Sequence, residues 1–147
     1  MPQPDHVEAL DRSVEKTYEW LRDLRSELGD ACSRQQAYSI LRGVLQTLRD
    51  RLTVDEAVEF ASQLPQQVRG VYFEGWEPSK VPLKFDREEF LSNVESAATL
   101  PDDVRPADAV RATGRVLQQR VDSGELRDVL TSLPRDLRAV LGGSADV

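Results

Sequence analysis

The feature that most restricts what this chain can become is an internal repetition. Residues 37–71 laid over residues 106–140, an offset of 69, need no gap and agree at eight positions: Arg42/Arg111, Leu48/Leu117, Arg51/Arg120, Glu56/Glu125, Leu64/Leu133, Pro65/Pro134, Arg69/Arg138 and Val71/Val140. A capping signature, Thr53-x-x-Glu56, falls on Asp122-x-x-Glu125. With one more residue of offset, Glu19-Trp20-Leu21 falls on Glu89-Phe90-Leu91 and Leu24 on Val94. Self-similarity at a fixed period marks one supersecondary unit used more than once. The expected architecture is therefore all-α, two tandem four-helix repeats at 1–71 and 86–141 packed into one helical bundle. A junction loop at 72–85 joins them and a flexible tail follows at 142–147.

Each unit reads as helix because its apolar residues recur every three or four positions. Val7, Leu10, Val14, Thr17, Leu21, Leu24 and Leu28 form one stripe, which predicts a helix over 6–28 opened by Asp5-x-x-Glu8 and stopped at Gly29. Ser33-x-x-Gln36 and Thr53-x-x-Glu56 open the second and third helices, and Pro65 starts a short fourth. Asp86-x-x-Glu89 opens the next, followed by helices over 102–121, 123–133 and the short PRDLRAVL. Only VYF is β-prone, and it is too short to anchor a sheet. Trp20 lies off the strict stripe, but its match to Phe90 predicts a core position.

The stretch SQLPQQVRGVYFEGWEPSKVP, residues 62–82, holds three of the nine aromatic residues, two glycines and three prolines. Arg69, Tyr72, Phe73, Glu74 and Trp76 are the candidate interaction or ligand surface, since aromatic and arginine side chains dominate protein contacts. The alternative is a strap that folds back over the seam between the units. Arg51, Arg120, Glu56 and Glu125 are candidate repeated clamps. Arg51 stands near the end of its helix, where a guanidinium can meet the last carbonyls.

Composition enters where chemistry must be excluded. One histidine, His6, and one cysteine, Cys32, do not make a zinc site, and neither is framed as part of a nucleophile–base pair. No Glu-x-x-His pattern or glycine-rich phosphate loop occurs, so no catalytic residue, metal or cofactor is assigned. The formal net charge of -7 opposes general nucleic-acid binding. Residues 34–51 and 105–120 each carry four arginines and one aspartate, and Arg34, Arg42 and Arg49 share a helix flank. That flank is either a small basic face or is paired with acids of the following helices, among them Asp55, Glu59 and Asp128. No apolar run is long enough to span a membrane, and MPQPDHVEALDRS lacks a secretory pattern, so a cytoplasmic location is expected.

The segments EWLRDLRSELG, AYSILRGVLQTLRDRL, ASQLPQQVRGVYFEGWEPSKVP and EEFLSNV together resemble the bacterial domain-of-unknown-function family 2267 over nearly the whole chain. The resemblance implies a small cytosolic helical protein with no established activity or cofactor. The family pattern commonly has histidine where this chain has Gln46, which weakens histidine-based chemistry here. The expected function is a non-catalytic protein–protein interaction or scaffold module. The alternatives are a small-ligand site or enzyme at the junction, and self-association through the first helix.

Overall fold

Three capping boxes fix where helices begin. In the computed structural model, which describes residues 5–142, the Ser33 hydroxyl accepts from Gln36 N at 3.1 Å while Ser33 N donates to the Gln36 side chain at 2.9 Å. Thr53 with Glu56 and Asp86 with Glu89 repeat this exchange. Each box satisfies backbone donors that a helix start leaves open. Among the described residues the elements are α1 (Glu8–Leu28), α2 (Arg34–Arg51), α3 (Val54–Ala61), α4 (Gln66–Phe73), a 3-10 turn (Pro78–Lys80), α5 (Arg87–Ala97), α6 (Pro106–Arg120), α7 (Ser123–Thr131) and α8 (Arg135–Val140). They contain no strand, and the fold is all-α as expected. The tail expected at 142–147 lies outside the described residues beyond Gly142.

Two helix starts differ from expectation. The first helix begins at Glu8 with Val7 at its N-cap and no side-chain cap, because Asp5 stands upstream of the cap position. His6 Nδ1 instead lies 2.6 Å from Asp11 Oδ2. The sixth helix begins at Pro106 rather than near residue 102, since a proline fits the first helical turn. The other end of α1 behaves as read: Gly29 takes a positive φ of 92° and its N–H returns to Arg25 O at 2.8 Å.

The bundle is organised around α2, which packs against α1, α4, α5 and α6. Ala37, Ile40, Val44, Leu45 and Leu48 on this helix are fully buried. The second half of α1 lies on α2 and α6, burying Leu21, Leu24 and Trp20, the last 1% exposed. Trp20 is thus a core residue, as its match to Phe90 predicted, and Phe90 is buried too. The first half of α1 is different: Val7, Leu10 and Val14 remain 53, 54 and 40% exposed. Half of the apolar stripe therefore faces solvent.

Candidate interaction site

The junction is tied to three consecutive residues at the end of α2. Arg49 is 4% exposed, and its Nη1 donates to the carbonyls of Tyr72 at 2.8 Å and Glu74 at 2.7 Å. Asp50 O accepts from Leu83 N at 2.7 Å, and Arg51 Nε donates to Phe85 O at 3.2 Å. Asp50 also balances the Arg49 charge, with its Oδ1 2.8 Å from Nη2. A buried guanidinium needs both a counter-charge and acceptors for its fork of donors, and this arrangement supplies them. Arg49 is thereby withdrawn from the flank it shares with Arg34 and Arg42, and its counter-charge is its own neighbour Asp50 rather than an acid of the following helix.

Within the junction the aromatic residues stack inward. Tyr72 is fully buried, donates its hydroxyl to Ala57 O at 2.9 Å, and has ring neighbours Phe60 and Phe73 at 6.0 and 5.0 Å. Burial pushes the Tyr72 phenol well up, with nearby Arg49 only partly offsetting this. Phe73 meets Trp76 at 5.2 Å; both are half-buried against the core. Gly75, with φ 73°, makes the turn that brings Trp76 back, and Glu74 is exposed. Arg69 is occupied with helix-end carbonyls, its Nε on Ala61 O at 2.9 Å and Nη2 on Leu64 O at 3.0 Å. Gln46, where the resemblance implies histidine, donates to Val71 O at 2.7 Å.

The four candidate clamps do not act as matched pairs. Arg51 holds the chain ahead of α5 rather than the last carbonyls of its own helix. Arg120 reaches across to α1, with Nε 2.7 Å from Asp23 Oδ2 and Nη1 3.3 Å from Glu19 Oε1. The bond to Asp23 raises the Arg120 pKa. Its acids come from α1, and not from the helix that follows it. Glu56 completes a reciprocal capping box. The backbone N–H of Glu125 is capped by Asp122 at 3.1 Å, with no return bond from the Glu125 side chain.

Four of the seven exposed large hydrophobic side chains among the described residues lie instead along α1. Val7, Leu10, Val14 and Tyr18, the last 46% exposed, follow helical spacing on one face. The stripe runs into a groove of about 350 Å³ lined by Val14, Tyr18, Leu21, Tyr38, Arg34 and Gln67. The Arg34 guanidinium sits 5.0 Å above the Tyr18 ring, a cation–π contact that holds the ring at the groove edge. At the floor, Gln67 Oε1 accepts from the Ser13 and Thr17 hydroxyls at 2.8 and 3.0 Å. Periodicity already placed Val7, Leu10 and Val14 on one face. Tyr18, Tyr38 and Gln67 carried no sequence signal beyond Tyr18 standing four residues after Val14, and Arg34 was legible only as part of a flank with Arg42 and Arg49.

No other chemistry gathers here. Cys32 is buried, its thiol donates to Ser33 O at 3.5 Å, and burial pushes its pKa up despite Arg25. Among the described residues no group of three or more His, Cys, Asp or Glu side chains could hold a metal ion, and no helix is long and apolar enough to cross a membrane.

Fold and surface together define an all-α bundle whose central helix is buried and whose first helix is half uncovered. The chain belongs to the family of uncharacterized conserved proteins DUF2267, which it matches over residues 17–140. Val7, Leu10 and Val14 therefore lie ahead of the matched stretch. No curated protein matches the chain.

Proposed function

We propose that this chain is a non-catalytic protein–protein interaction module, and that its working face is the outer side of α1 with the adjoining groove. The observation that carries this reading is the unbroken run of Val7, Leu10, Val14 and Tyr18, each 40% or more exposed, leading into an apolar groove. Scattered surface apolar residues are ordinary, but a contiguous apolar strip rimmed by polar groups is the usual form of a contact surface. The junction is a weaker candidate, because Tyr72 is fully buried and Arg69 already serves two carbonyls.

In the same reading the bundle is a duplicated helical unit, and the first half of α1 meets α4 through Ser13 and Thr17 while leaving its apolar stripe exposed. Duplication is supported by the two Leu-Pro bends: Pro65 and Pro134 both have φ -57° and ψ 153°. A bacterial cytoplasm is the proposed setting, supported by the single, buried cysteine.

Photo-crosslinking tests the reading. A benzophenone side chain replacing Leu10, in the cells that make the protein, is expected to give an adduct of discrete mass. The same group replacing Glu95, exposed on α5, serves as the control. If Leu10 yields no adduct above that control, the face is not a contact surface.

A further inference from the structure

Resting on the interaction reading above, we infer that the partner is a second copy of this chain, docked with its α1 antiparallel to the first. The two-fold axis crosses α1 between Val14 and Tyr18. Two observations select this occupant.

The face is self-complementary in shape. Its N-terminal half presents the exposed row Val7, Leu10 and Val14, and at Val14 the groove begins, opening between Tyr18, Leu21 and Tyr38. An antiparallel two-fold operation places each row in the other copy's groove, and both halves are used twice.

The charges are self-complementary in the same sense. Asp11, Glu15, Arg22 and Arg34 line a depression beside Val14 and Tyr18. At 100° per residue, Asp11, Glu15 and Arg22 fall within about 40° of one another, on a single flank of the stripe. The flank is acidic in its first half and basic in its second. Among the described residues, Glu15 and Arg22 make no ion pair, Arg34 meets only the Tyr18 ring, and Asp11 pairs with His6 alone. A two-fold axis perpendicular to antiparallel helices keeps like flanks together and reverses their direction. About this axis Asp11 of each copy faces Arg22 of the second, and Glu15 faces Arg34, which stands at the level of Tyr18. A parallel pairing would set this flank against the opposite one, where Ser13, Thr17 and Gln67 present no charge. Charge matching of this kind fixes orientation and excludes other registers.

Sedimentation equilibrium on the full chain, with two charge reversals, tests the geometry. The wild type is expected to dimerise with rising concentration. Asp11→Arg sets a second guanidinium against Arg22 of the other copy, and Arg22→Glu sets two acids together, so each single variant should pair at least about tenfold more weakly. Mixed in equal amounts, the two variants should recover pairing near the wild-type level, because both contacts are then of opposite charge. Both positions are exposed, so helicity by circular dichroism should be unchanged. A wild type that stays monomeric, or a mixture no tighter than either variant alone, overturns the inference. The mass of the Leu10 adduct separates the two proposals: twice the chain mass supports self-pairing. Any other discrete mass overturns self-pairing while the interaction reading stands, and no adduct overturns both.

Discussion

The segments 37–71 and 106–140 bend at the same place and end their long helices in different ways. At the bends, Arg69 donates to Leu64 O and Arg138 to Leu133 O, the same donor and acceptor five residues apart in each. At the helix ends the matched residues part company. Arg49 is buried and gathers the carbonyls of Tyr72 and Glu74, while Gln118 at its matched position is exposed and donates to Gly142 O at 3.1 Å. Arg51 meets a backbone carbonyl where Arg120 meets two carboxylates. A bend made by residues a few positions apart is reproduced wherever those residues recur. A long side chain at a helix end takes whatever partner the neighbouring element brings, and here the neighbours differ. The first segment is followed by a junction that needs anchoring, and the second lies against α1.

The two segments differ most at the glycines of their long helices. Gly114 in α6 approaches the backbone of Leu141 so closely that an added Cβ would overlap its carbonyl oxygen, and backbone cannot rotate away. Gly43 in α2 faces Ala98, whose Cβ would be 3.0 Å from an added one. Gly114→Ala is expected to cost about 3 kcal/mol, read as a drop in the urea midpoint, through forced displacement of the chain after α8. Gly43→Ala should cost clearly less, since a few tenths of an ångström relieve it and alanine returns about 1 kcal/mol of helix propensity. Equal losses would mean that the two helices are packed with the same tolerance, contrary to these contacts.

The helix ends should differ by a smaller amount. Arg49→Met keeps the length of the side chain but strands two carbonyls and Asp50, at a cost of about 2 kcal/mol by the same measurement. Gln118→Met, on the surface, should stay within about 0.5 kcal/mol of the wild type. If the two substitutions cost the same, Arg49 does not anchor the junction.

The smallest expected effect depends on pH and belongs to the first segment alone, because Leu141 stands at the position matching Tyr72. The unfolded phenol ionises near about pH 10. The folded one is held neutral to higher pH by burial. Its contribution to stability is therefore complete below the unfolded value and is lost as pH rises through the window between the two. Tyr72→Phe should lower stability by about 1 kcal/mol at neutral pH, through loss of the bond to Ala57 O. It should also flatten the alkaline decline measured by urea unfolding. Cys32 contributes a decline of the same sign, which the wild-type-minus-variant difference removes. An unchanged alkaline slope would place the Tyr72 hydroxyl in contact with water.

Much of the fold was legible in the chain because its signals are local. The exchanges at Ser33, Thr53 and Asp86 involve residues three positions apart, and each opened a helix where the spacing said it would. The same logic misplaced the start of α1, where Asp5-x-x-Glu8 has the right letters but Asp5 stands upstream of the N-cap and Glu8 is the first helical residue. For the candidate site, the sequence identified the aromatic stretch but not the residue that holds it. Arg49 reads as one arginine of a surface flank, and only the return of the chain over the end of α2 makes it interior.

The helices, their bends and the apolar face each carries follow from dihedral preference and spacing within a few residues, and could be read from the chain. The stripe Val7–Leu10–Val14–Thr17–Leu21–Leu24 was one continuous feature at that level. The folded bundle covers its second half and leaves Val7, Leu10 and Val14 open to solvent. Periodicity states which side chains share a face. Whether another element covers that face depends on where the rest of the chain comes to lie, and on this protein that difference separates the core from the surface proposed to bind.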